Sequence, residues 1–208
     1  MREPMAWIRR SKLSPLRALI PMPQVFLVSL GNWVMVYASS TFMPIFLGTF
    51  LKLPPRIYTS LLIPFNAIGI PAMIISGYFS DLMGRRYMGI IMSIAAVLSA
   101  AWFYSVVSTH YLVTPLLIFG FLLNLSSGII PAYLAERFRS HGRATGVGFG
   151  YNGPFIISGW TSTFIALLSP WLGVPMAATV MFLIGAVITI VGLLVGPETR
   201  DVDLVNYS

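Results

Sequence analysis

An all-α membrane protein of six transmembrane helices is the fold this sequence predicts, on three observations. Charged residues make up only 9% of the 208 residues and hydrophobic ones 57%. A soluble domain carries about 25% charged residues, so this chain cannot clothe a globule in water, and lipid is the solvent that suits it. The few charges stand in short groups that cut the chain into uncharged runs long enough to cross a bilayer. Finally, those runs are apolar on all sides. Residues 90–103 show none of the ten-residue alternation of a transmembrane β-barrel.

The elements follow in order. Residues 18–51, 57–80, 87–135 and 144–197 contain no Asp, Glu, Lys or Arg, and number 34, 24, 49 and 54. A span needs about 20 apolar residues, so the first two runs hold one span each and the last two hold two each. Ser108-Thr109-His110-Tyr111 breaks the third run and Ser169-Pro170-Trp171 breaks the fourth. The predicted spans are 24–50, 57–79, 87–107, 112–135, 144–168 and 173–195. Prolines 44, 64, 71, 131 and 154 fall inside them, where each removes a backbone hydrogen bond and favours a kink. Such kinks are either ordinary in membrane helices or bend helices around a cavity. Gly146, Gly148 and Gly150, and the pair Gly192 and Gly196, place small residues where helix backbones can approach closely.

Lys and Arg set the orientation. Five precede Pro21, two stand at Arg85 and Arg86, three at Arg137, Arg139 and Arg143, and one at Arg200. Those 11 fall on one side, against Lys52 and Arg56 on the other. The split predicts both termini in the cytoplasm. Residues 1–22 are then a cytoplasmic segment with no apolar core of a signal peptide. Residues 23–196 form the six-helix domain and 197–208 a cytoplasmic tail.

Several function classes are excluded. The net charge of +7 lies in membrane loops and not on a basic face interleaved with aromatics, so no nucleic-acid partner is expected. Cysteine is absent, which removes disulfides, thiolate catalysis and Cys-ligated zinc. No HExxH, no paired intramembrane acids and no Ser–His constellation is present, so no enzyme activity, metal or cofactor is expected.

The stretch Gly77-Tyr78-Phe79-Ser80-Asp81-Leu82-Met83-Gly84-Arg85-Arg86 stands between spans 2 and 3. It resembles the G-x-x-x-D-x-x-G-R-R loop signature of the major facilitator superfamily. In physical terms, Gly77 allows close approach of a helix end and Asp81 is a lone carboxylate suited to a helix N-terminus. Gly84 supplies the turn, and Arg85 and Arg86 face anionic headgroups or a carboxylate. Residues 131–138 and 143–152 are similar to the helix 10–11 region of sugar and organic-acid porters of that superfamily. Pro197-Glu198-Thr199-Arg200 is similar to the ending that follows helix 12, and Arg2–Trp7 resembles a variant of the central-loop stretch before helix 7.

These landmarks occur in the family's order over essentially the whole chain. The resemblance implies helices 7–12, one half of a twelve-helix fold built as a 3+3 inverted repeat. It is nearest to proton-linked metabolite and sialate symporters. It implies transport of a small polar metabolite, an organic acid or a sugar-like compound, across the cell membrane. The partners it implies are the lipid bilayer, a small-molecule substrate and a second six-helix half, either a separate chain or another copy. A non-transporting or truncated six-helix membrane protein acting as a structural or partner subunit is the alternative.

No ionisable residue lies inside a span, so this half offers no proton carrier of its own. In the repeat, spans 1 and 4 correspond and line the cavity. That makes Asn32, Tyr37 and Asn124 the expected substrate contacts, with Asn66 and Asn152 expected to bond across helices as packing amides. A cytoplasmic latch is expected in which Arg85 or Arg86 pairs with Glu136, and Arg143 with Glu198.

Overall fold

The computed structural model describes residues 20–107, 111–138 and 143–200. Most of the N-terminal segment, including the Arg2–Trp7 stretch, and most of the tail lie outside the described residues. Within them are six helices long and apolar enough to cross a membrane: α1 (Met22–Phe50), α2 (Pro55–Met83), α3 (Arg85–Val106), α4 (Val113–Arg137), α5 (Arg143–Leu172) and α6 (Val174–Val195). No strand occurs among the described residues. The predicted spans sit inside these helices to within a few residues, with α2 and α5 each running about four residues further at their C-terminal ends.

Proline accounts for most of the irregularity. In α1 the helix widens to π geometry over Tyr37–Thr41 and again over Phe46–Phe50. Pro44, between them, has no N–H, and its ring crowds the carbonyl four residues earlier. In the first wide stretch Phe42 N–H reaches back five residues to the Tyr37 carbonyl at 3.1 Å. α2 breaks at Ile68, three residues before Pro71. α5 is interrupted at Gly153-Pro154 and at Gly159-Trp160. Pro170 frees the Ala166 carbonyl, and the Ser169 hydroxyl takes it at 2.8 Å. In lipid a freed carbonyl must find such a partner.

The packing carries an internal symmetry. α1 packs extensively on α6, and α4 on α3. α5 leans on α1 as α2 leans on α4, and α3 touches α6. Exchanging α1 with α4, α2 with α5 and α3 with α6 maps these neighbours onto one another, as a 3+3 inverted repeat requires. Small residues make the close seams. A Cβ on Gly31 would strike the Gly185 carbonyl and Thr189 of α6, and one on Gly192 would strike Val28 of α1. On the other side Gly120, Asn124 and Gly128 of α4 lie against Phe65, Gly69 and Met73 of α2.

α1 and α4 are the most buried helices; α2 and α5 are the least. The larger core cluster runs through Met35, Phe46, Phe103, Phe119 and Phe182. A smaller one, with Val25, Val28, Tyr133, Leu134 and Leu193, closes the end that bears the charged loops.

Candidate functional site

Two regions concentrate polar chemistry: a cluster at the charged end, and the middle of α1 where it meets α5. At the charged end Gly84 makes the sharp connection from α2 to α3 with φ of 101°, a left-handed conformation that glycine adopts without the penalty of a side chain. The next two backbone N–H groups open α3, and both are taken by one carboxylate. Arg85 N–H donates to Glu198 Oε1 at 2.7 Å and Arg86 N–H to Oε2 at 3.0 Å. Thr199 and Arg200 N–H add bonds of 2.9 and 3.2 Å. A Cβ on Gly84 would meet this carboxylate at 2.7 Å.

Glu198 thus fills the site at a helix N-terminus that the sequence suggests for Asp81. Asp81 lies instead near the C-terminal end of α2, where the dipole offers a carboxylate nothing. It is 61% exposed and pairs with Arg85 at 2.6 Å. Partial burial raises the Glu198 pKa, but the four backbone N–H groups outweigh it and hold the carboxyl below its ordinary value.

The Arg85 side chain runs inward. Its Nη2 lies 3.1 Å from Glu136 Oε1, its Nε 3.2 Å from the same oxygen, and its Nη1 donates to Ser80 Oγ at 2.6 Å. Both charged side chains of the Arg85–Glu136 pair are only 13% exposed. The Thr199 hydroxyl, on a residue that is 2% exposed, donates to Glu136 Oε2 at 2.6 Å. Arg86 Nη2 reaches the Leu194 carbonyl at the end of α6 at 2.9 Å.

A second, neutral layer joins the cluster to α1. Gln24 Nε2 donates to the Gly192 carbonyl and to the Tyr133 hydroxyl, which donates to the Pro197 carbonyl. Gln24 Oε1 accepts from Arg137 Nε. The α2–α3 connection, the end of α4, the segment after α6 and the start of α1 are therefore one hydrogen-bonded unit.

The expected Arg143–Glu198 pair is not made. Glu198 is committed to backbone N–H groups, and Arg143 turns its Nε to the Phe138 carbonyl at 3.2 Å. Its Nη2 is buried with no partner among the described residues. Gly77 has nothing within 4 Å of a built Cβ, so the close approach expected there is not made among the described residues.

In the middle of the membrane the three expected cavity residues separate. Tyr37 is half-buried on α1 at the start of the wide turn, with its ring against Trp33 and Phe155. Asn124 is half-buried in the α2–α4 seam and donates to its own Gly120 carbonyl. Asn32 is 1% exposed, packed inside the domain; among the described residues its Oδ1 has no partner, and neither has the Ser29 hydroxyl one turn away. Asn66 and Asn152, expected to bond across helices, bond to the carbonyls of Leu62 and Gly148 on their own helices, and both are exposed.

Tyr37 belongs to a group the sequence did not single out. Trp33 and Phe155 have ring centroids 4.1 Å apart, Trp33 and Tyr151 5.0 Å, and Tyr37 and Phe155 6.4 Å. The Trp33 indole N–H donates to the Tyr151 carbonyl at 2.8 Å, beside the Gly153-Pro154 interruption of α5. The one available signal was a Trp twelve residues into a span, far from the interface where Trp usually anchors.

Comparison with known proteins comes to the same architecture. The sequence matches the model of the Major Facilitator Superfamily over residues 3–158. A "Probable 4-methylmuconolactone transporter" of Cupriavidus pinatubonensis (strain JMP 134 / LMG 1197) is 30% identical over 138 residues, which is 62% of this chain and 30% of that protein. The match therefore spans less than a third of that relative's length.

Proposed function

Because this chain belongs to the major facilitator superfamily, we propose that it is the C-terminal six-helix half of a secondary transporter that moves a small organic acid or related polar metabolite with protons. It is a multi-pass integral membrane protein, and its family consists of transporters and not enzymes. The observation that carries the proposal is the closed cluster of Arg85, Glu136, Glu198 and Thr199. It binds the family's signature loop to the end of α4 and to the segment after α6, on the side that positive charge assigns to the cytoplasm. Such a cluster can hold one side of a cavity shut and release it when a single partner leaves. In this reading the cluster is the inside latch, and the domain sits in the cell membrane with both termini cytoplasmic.

The C-terminal assignment rests on the order of the landmarks at Gly77–Arg86, 131–138, 143–152 and 197–200. The exposed amides Asn66 and Asn152 support a second six-helix half over α2 and α5. An amide facing lipid in mid-membrane is unfavourable; one facing another protein half or a wet cavity is not. Tyr37 and Asn124 are the proposed substrate contacts on the open face. The name of the relative gives a lactone as its substrate, and this supports an organic acid or lactone here.

The test is uptake of radiolabelled 4-methylmuconolactone and of simple monocarboxylates into proteoliposomes holding the complete assembly. Uptake driven by an inward proton gradient and abolished by a protonophore is expected. No uptake of any of them, with or without a gradient, contradicts the proposal.

A further inference from the structure

The α1–α5 and α4–α2 seams are related by the internal symmetry, yet they are built differently. On the α4–α2 side Gly120 and Gly128 close on the buried Phe65 and on Met73, and Gly69 closes on Asn124. On the α1–α5 side Trp33, Tyr37, Tyr151 and Phe155 form a continuous half-buried aromatic group. All four lie in the middle of their helices, where a belt role is excluded by depth.

The polar handle of Trp33 is already used on the Tyr151 carbonyl, so this ring offers only its faces and edge. The Tyr37 side chain is half-buried, with its ring against Trp33 and Phe155. The wide turn that begins at Tyr37 shifts its side chain away from regular helical register, and π-type turns of this kind are frequent at functional sites.

Resting on the transport reading above, we infer that this aromatic wall selects substrates containing a flat ring. The ring stacks against Trp33 and Phe155, and its polar edge is taken by the Tyr37 hydroxyl. An aliphatic acid or an open-chain polyol gains little from such a wall, because only a flat ring meets aromatic faces at stacking distance. The geometry therefore points to planar carboxylates and unsaturated lactones as the substrate class.

The test compares benzoate with cyclohexanecarboxylate, two monocarboxylates of similar size that differ in having a flat or a puckered ring. Binding of each to the purified assembly is measured by equilibrium dialysis, and uptake of each is measured in parallel. The wild-type protein should prefer benzoate by about two- to twelve-fold, the range of aromatic-pair energies. Trp33→Leu and Phe155→Leu should each bring the ratio toward one while proton-driven uptake of benzoate persists at a reduced rate. Trp171→Leu, at the far end of α5 and 81% exposed, should leave it unchanged. Phe155→Leu keeps the test decisive if loss of the Trp33 hydrogen bond impairs folding. Equal binding of the two acids, or a preference that survives both substitutions, overturns the inference and leaves the transport reading standing if either acid is taken up. Absence of both binding and uptake overturns the two together.

Discussion

At the scale of single residues, two carboxylates of the charged cluster look alike in sequence and differ in what they hold. Asp81 is 61% exposed and pairs with an arginine one turn away on the chain. An exposed pair of this kind contributes about 0–1 kcal/mol. Glu136 is 13% exposed and accepts from both Arg85 and Thr199. Its removal leaves the mostly buried Arg85 guanidinium with only the exposed Asp81 and the Ser80 hydroxyl; breaking a buried pair costs about 3–5 kcal/mol, and the partners that remain bring this to roughly 1–3 kcal/mol. Glu136→Gln should therefore lower the unfolding midpoint in detergent markedly, and Asp81→Asn should barely move it. Equal effects would mean that the inward course of Arg85 is unimportant.

Glu198 gives a pH signature. Its folded-state pKa is depressed by backbone N–H groups. Its contribution is complete above the ordinary glutamate value of about 4.3 and is lost as pH falls through the lower folded value. Wild-type stability should drop on acidification through that window, and Glu198→Gln should flatten the drop while costing about 0.5–2 kcal/mol at neutral pH, as loss of a helix cap does.

At the scale of elements, helix contacts are set by where the chain has no side chain. Gly31 abuts backbone atoms of Gly185 and Thr189, which cannot rotate away. Gly31→Val should pry α1 from α6 and cost about 2 kcal/mol or more, in the range of overpacked cores. Gly148→Val, with nothing within 4 Å, should stay within about 0.5 kcal/mol. Thermal unfolding of the two variants side by side reads the difference.

The elements were legible in the sequence because length and hydropathy alone decide a span, and the loops carried the only charges. Their partners were less legible. The glycine spacing near residue 146 marked a close-packing helix. It did not say that Gly146 and Gly150 turn to Phe138 and Val25 while Gly148 turns outward. Glu198 as the cap of α3 joins residues 113 apart, and Trp33 meets Phe155 across an even longer stretch of chain. No local pattern encodes such pairings. Charge complementarity suggested Arg143 for Glu198; backbone N–H groups at the start of α3 were the stronger competitor and are invisible to a count of charges. Asn32 is the opposite case. An amide inside a span suggests a cavity, but only packing reveals that it faces inward.

At the scale of the whole molecule, the positive-inside split predicts an orientation that can be measured. A reporter fused after Ser208 should be cytoplasmic and one inserted after Pro54 external; the reverse would invert the inside latch. The distribution of burial says more. α2 and α5 leave Ile63, Ile74, Ile156 and Leu167 from about 59% to 80% exposed, and on the same two helices the amides Asn66 and Asn152 are also exposed. α3 and α6 carry exposed Leu98 and Val187 without any exposed amide in mid-span. In the proposed reading the first pair of helices faces protein or a cavity, and the second faces lipid.

The account's central claim, that this domain is half of a larger helical assembly, is tested most directly by a photoreactive side chain placed in turn at Asn66, Asn152, Leu98 and Val187 in cell membranes, with adducts identified by mass spectrometry. Adducts at 66 and 152 to a further six-helix unit, whether another copy, a separate chain or additional spans of the same polypeptide, with lipid adducts alone at 98 and 187, are predicted. Lipid adducts alone at all four positions would contradict it.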